Sequence, residues 1–109
     1  MGASACRAAW LAAAVVLGPS ARADDIDAGR AKAQACAVCH GALGLSTLPD
    51  APNLAGQPAS YLGAQLRAFR SGARRHEVMA VIAKPLTDDD IGLLAGWFAS
   101  IRVEATAPR

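Results

Sequence analysis

Apolar positions in this chain recur at helical spacing and nowhere settle into the alternation of a strand. The clearest stripe lies near the C-terminus, where Ile91, Leu94, Ala95, Phe98 and Ile101 fall three or four apart on one helical face. Thr87 stands before it as an N-cap, and Asp90 completes the spacing of a capping box. Asp88, Asp89 and Asp90 also place negative charge at the positive end of the helix dipole. Upstream, Tyr61, Leu62, Leu66 and Phe69 line one face of a helix predicted to open with Pro58 at its first position and to end at Gly72. A short apolar segment over 78–83 stops at Lys84-Pro85, since the residue before a proline is pushed out of helical geometry. A first helix is predicted from Asp25 or Asp27, through the small residues of 28–35, into a pair of cysteines. Between it and Pro58 runs a loop, 41–57, broken by Gly44, Pro49, Pro52 and Gly56. With no alternating run of β-branched and aromatic residues and no hairpin turn signal, the fold class is all-α, without repeats.

The first residues follow another pattern. Arg7 precedes the apolar run Trp10-Leu11-Ala12-Ala13-Ala14-Val15-Val16-Leu17, which Gly18-Pro19 breaks before the small-x-small triplet Ala21-Arg22-Ala23. Positive head, short apolar run and cleavable tail are the parts of a secretory signal. Residues 1–23 are therefore expected to be a leader cut after Ala23, with 24–109 as the exported domain. The alternative is an N-terminal helix packed into the fold. Cys6 comes before the apolar run instead of after it, which argues against a lipoprotein anchor, so two cysteines enter an oxidising compartment. No later stretch reaches the roughly 18 apolar residues that a membrane span needs.

Composition changes the picture in two ways. The 53% apolar content exceeds the usual ~45–50%, and the excess sits in the expected leader. Residues 24–109 hold only four aromatics, Tyr61, Phe69, Trp97 and Phe98, which is a thin core for a domain this small. Either the fold is marginal, or something other than protein fills its middle. Beyond the leader, basic and acidic side chains balance, and a chain without basic surplus is not a general nucleic-acid binder.

Cys36-Ala37-Val38-Cys39-His40 supplies the missing body. Cys-x-x-Cys-His is the attachment signal of c-type haem: two intervening residues set the thiols at the separation of the porphyrin vinyls, and the histidine beside them presents an imidazole to the iron. Three rivals share these residues. A redox-active thiol pair belongs on a βαβ unit, and no strands are seen. A zinc site of Cys36, Cys39, His40 and His76 would place adjacent residues around a tetrahedral metal and lacks a second closely spaced ligand pair. A disulfide between Cys36 and Cys39 would close a tiny, strained loop. For the other side of the iron, Met79 is the only methionine after the leader, and a thioether opposite imidazole favours ferrous iron and excludes exogenous ligands. Gap-filling core is the general role of methionine, and His76 is a rival ligand that reads more naturally as solvent-facing beside Arg74, Arg75 and Glu77.

From about residue 27 to 103 the chain resembles a class I cytochrome c, most like the short c553 type that also forms each half of dihaem cytochrome c4. The resemblance is carried by the Cys36–His40 motif with Gly41, by Pro52-Asn53-Leu54-Ala55-Gly56-Gln57, by Tyr61 with Gln65-Leu66, by Gly72-Ala73-Arg74 and by Met79. Leu86-Thr87-Asp88-Asp89-Asp90-Ile91 and Ala95-Gly96-Trp97-Phe98 complete it. It implies a cytochrome c fold of three to five short helices around one haem c joined to Cys36 and Cys39, with His40 and Met79 as iron ligands. It further implies that the Pro52 carbonyl orients His40, and that the first and last helices cross where Gly29 meets Trp97, a position more usually tyrosine. Histidine at 76 keeps bis-histidine ligation as a minority alternative.

The function implied is a periplasmic monohaem electron carrier, not an enzyme, that passes single electrons between a donor and an acceptor redox protein, as a monomer or weak dimer. The alternatives are a fixed electron-transfer subunit of a larger oxidoreductase and a haem enzyme or sensor with an open iron site. Arg67, Arg70, Arg74 and Arg75 form the one basic cluster, with 67, 70 and 74 expected on one helical face. It reads as a solvated face, or more sharply as Arg74 on a haem propionate with the others steering an acidic partner.

Overall fold

The computed structural model describes Gly2 and residues 23–109, and the expected leader lies outside the described residues except for Ala23. Five helices follow in order, α1 (Ala23–Lys32), α2 (Ala37–His40), α3 (Ala59–Ser71), α4 (Glu77–Ala83) and α5 (Asp88–Ser100), with a 3-10 turn over Ala33–Cys36 joining α1 to α2. Among the described residues there is no strand, in keeping with the all-α expectation. None of these helices is long and apolar enough to cross a membrane.

The predicted first helix thus arrives in three pieces. At the tightened stretch the Ala37 N–H bonds back three residues to the Gln34 carbonyl. Alanine side chains give no preference between the tight and the ordinary helical bond, so the break cannot be read from the sequence.

α1 and α5 form the principal crossing. Gly29 is buried there, and a Cβ at this position would strike the Leu93 carbonyl oxygen and lie 2.9 Å from Trp97 Cβ. Only a residue without a side chain lets the two backbones come this close. Lys32 Nζ reaches Asp90 Oδ1 at 2.6 Å across the crossing, and the Arg30 guanidinium lies 5.8 Å from the centroid of the Trp97 ring. On α5 the expected stripe is buried at Ile91, Leu94, Ala95 and Phe98, with Ile101 partly buried just past the helix end. Each large apolar side chain taken out of water there contributes about 1.5–3 kcal/mol. The capping box at its start is complete: Thr87 Oγ1 accepts from the Asp90 N–H at 3.1 Å, and Asp90 Oδ2 accepts from the Thr87 N–H at 3.0 Å.

α3 packs on α5 through Leu62, with Leu66 against the same cluster. Two expectations are corrected here. Pro58 is the N-cap and not the first helical residue; its ψ of 135° is extended, while its carbonyl already accepts the Leu62 N–H at 3.0 Å. Tyr61 is not part of the buried face and stays 47% exposed. The buried stripe runs through Leu62, Leu66 and Phe69, and Tyr61 sits a full 100° from Leu62 on its flank. Gly72 ends the helix in the left-handed conformation, φ 83°, as its position predicts. Arg70 then ties α3 to α5, donating to the Leu86 carbonyl at 2.9 Å and to Asp88 Oδ1 at 2.6 Å. α4 rests on α3 and buries Ala83.

Candidate haem-attachment site

Cys36 closes the 3-10 turn, and Cys39 and His40 fall on α2, so three of the four expected site residues lie on one continuous helical stretch. Both thiols are free and half-buried. Burial pushes the Cys36 thiol pKa upward, which keeps it protonated. Val38, between them, is 83% exposed.

His40 is buried, and its Nδ1 lies 2.8 Å from the Pro52 carbonyl oxygen. A carbonyl can only accept, so Nδ1 carries the proton and donates it. Nε2 then keeps its lone pair, the form in which imidazole binds a metal, and the bond to oxygen fixes the ring's orientation. The chain turns away directly afterwards at Gly41, whose φ is 81° and where a Cβ would collide with the Leu45 carbonyl.

The loop that delivers Pro52 is stitched from within. The Gly44 carbonyl accepts from the N–H groups of Leu54, at 2.7 Å, and Ala55, at 3.1 Å. Asn53 Oδ1 accepts from the Ser46 N–H at 2.7 Å, and Ser46 Oγ donates toward the Cys39 carbonyl at 3.0 Å. Ser46 and Asn53 therefore fix the loop to the motif helix. Their turn-forming side chains were the available signal, although the sequence does not say which backbone groups they reach.

Met79 lies on α4, half-buried, in the first turn of that helix. Its element packs on α3, so Met79 stands on a different part of the scaffold from His40. His76 caps α4, its Nδ1 accepting from the Met79 N–H at 3.2 Å, a role absent from the sequence reading. The four-ligand zinc set with His76 is not assembled, and no group of three or more His, Cys, Asp or Glu side chains gathers to hold a metal ion among the described residues.

The donor set fits a haem: two thiols at the right spacing, an imidazole with its second nitrogen free, and a thioether on another element. Exposed apolar side chains are also in supply. Leu43, Leu45 and Leu48 on the loop, Tyr61 on α3, and Val78, Val81 and Ile82 on α4 are large apolar side chains left exposed. A domain this small rarely leaves that many uncovered unless they meet another apolar body.

The expected basic face is not formed. α3 ends at Ser71, so Arg74 lies beyond it, where its Nη1 donates to Gln65 Oε1 at 2.6 Å and its guanidinium stands 4.6 Å from the Phe69 ring centroid. With Arg70 paired to Asp88, Arg67, Arg74 and Arg75 stay exposed, off any common helical face because Arg74 and Arg75 lie beyond α3.

The profile of the cytochrome c family matches residues 26–101. The chain is 40% identical over 74 residues to the thiosulfate dehydrogenase electron acceptor of Stutzerimonas stutzeri, covering 65% of this chain and 34% of that protein. It is 38% identical over 81 residues to cytochrome c-554(548) of Halomonas halodenitrificans, covering 72% of this chain and 98% of the relative. Among solved structures, reduced recombinant cytochrome c4 from Pseudomonas stutzeri aligns with a TM-score of 0.67 at 34% identity, over 71% of this chain and 45% of that one. The chain thus spans less than half the length of the cytochrome c4 and of the thiosulfate dehydrogenase acceptor, and nearly all of cytochrome c-554(548).

Proposed function

The chain belongs to the cytochrome c family, and from that premise we propose that it is a monohaem single-electron carrier, exported to the periplasm after loss of residues 1–23. Haem c, bound covalently, supplies an iron that cycles between ferrous and ferric states. Cys36 and Cys39 would hold the porphyrin as thioethers. His40 would offer Nε2 to the iron, its ring held by the Pro52 carbonyl. Met79 would offer its thioether from α4, a ligand that favours the ferrous state. Relatives named as cytochromes and as an electron acceptor support the reading of a carrier over an enzyme.

The observation that carries this is the His40 Nδ1 to Pro52 bond of 2.8 Å, one residue beyond the second free thiol. It leaves the imidazole in the one tautomer that can ligate through Nε2. A relative named as the electron acceptor of a thiosulfate dehydrogenase supports a donor of the same kind, a periplasmic dehydrogenase, for this chain.

The test is a spectrum of periplasmic protein, oxidised and reduced, before and after acid–acetone extraction. Colour that stays with the polypeptide, a sulfur-to-iron absorption in the ferric form and a mature chain beginning at Asp24 are expected. Haem that extracts into acetone would defeat the covalent assignment. Stable co-purification with one oxidoreductase at high salt would replace the free carrier with a fixed subunit.

A further inference from the structure

α4 has only seven residues, and a helix that short does not hold itself together. What fixes its first turn therefore fixes where Met79 points. His76 occupies the position before it with an extended backbone, φ −160° and ψ 131°, and its Nδ1 accepts the Met79 N–H at 3.2 Å. The same residue's carbonyl accepts the Ala80 N–H at 2.9 Å.

A serine or asparagine could cap this helix as well or better. Neither could do the second thing the imidazole does. Its ring stands edge-on to Phe69, centroids 6.3 Å apart and planes at 73°, and Phe69 is buried in α3. The Arg74 guanidinium also lies over the Phe69 ring and is bonded to Gln65 on the same helix. A connected series of contacts therefore runs from α3 through the aromatic ring of Phe69 and the imidazole of His76 to the backbone of Met79.

We propose that His76 is a positioning residue for Met79: wedged against Phe69, it sets the start of α4 and so the direction in which the thioether is presented. This rests on Met79 being the sulfur ligand, and makes His76 the support of that ligand instead of its competitor.

The test uses the holoprotein and its His76→Ala and His76→Asn variants, with Met79→Ala as reference. In His76→Ala the Met79 amide should exchange about fivefold to tenfold faster, the loss expected of an N-cap, while the Leu94 amide on α5 stays unchanged. The ferric sulfur-to-iron absorption should weaken and the reduction potential fall. His76→Asn keeps an acceptor for the Met79 N–H and should recover amide protection, with the absorption recovered only in part because the contact with Phe69 is gone. His76→Ala with wild-type absorption, potential and Met79 exchange would overturn the inference while leaving Met79 as ligand. Met79→Ala that leaves the absorption untouched would instead overturn the ligand assignment, and the inference with it.

Discussion

The α1–α5 crossing and two stretches outside it, loop 41–57 and α4, are stabilised in different ways. At the crossing a buried glycine admits a tryptophan-bearing helix, apolar side chains are covered, and a 2.6 Å ion pair and a full capping box secure the edges. In loop 41–57 and α4 backbone groups are paired as well, yet large apolar side chains are exposed, Val81 being 70% exposed. One region is completed by its own chain. The other has its hydrogen bonds in place and its apolar surface still uncovered, which is the condition expected of a wall built against a bound apolar group.

The strongest way to break that contrast is to remove the group. Cys36→Ala with Cys39→Ala should leave a chain without covalent haem that is largely unfolded by far-ultraviolet circular dichroism. A double variant as helical and cooperative as the parent would show that the uncovered wall stands unaided. Gly29→Ala attacks the other region. The added methyl meets backbone on α5 and the base of Trp97, neither of which yields cheaply, so denaturant unfolding should show a loss of about 1–3 kcal/mol. Met79→Ala sharpens the comparison by leaving the crossing alone: the potential should fall well below the parent and the reduced protein should take up carbon monoxide. An unchanged potential without carbon monoxide binding would remove Met79 from the iron.

The smallest effect concerns acid. Asp90 is held at a pKa of about 2, first by its hydrogen bond with Lys32 and then by those with Thr87. An unfolded aspartate titrates near 3.9. Because the folded value is the lower, the contribution is complete above roughly pH 4 and disappears as pH falls through about 2. Asp90→Asn should flatten the acid limb of the unfolding curve over that window without touching the haem spectrum.

Much of this was legible before any coordinates. α5 announced itself through its stripe and its capping box, because both signals are local and chemically specific. The Cys36–His40 motif was legible because covalent attachment tolerates little variation in spacing, and its neighbour Pro52 entered only through resemblance. What escaped depends on partners that spacing alone does not name. Tyr61 shares helical spacing with Leu62 and Phe69, and only packing against α5 decides which edge of that face is covered. Arg74 looked like a free cation until α3 ended early and Gln65 and Phe69 claimed it. His76 was weighed as ligand or surface residue, and histidine is outside the residue types that ordinarily mark an N-cap, so its bond to Met79 gave no warning.

The partnership of Gly29 with Leu93 and Trp97 bears on the order in which the domain can close. α1 finds its mate only in α5, after α2, α3 and α4, so a chain emerging N-terminus first cannot close this contact until α5 has followed. Until then Cys36 and Cys39, a few residues beyond Gly29, belong to a stretch whose flanking helix has no partner at that crossing.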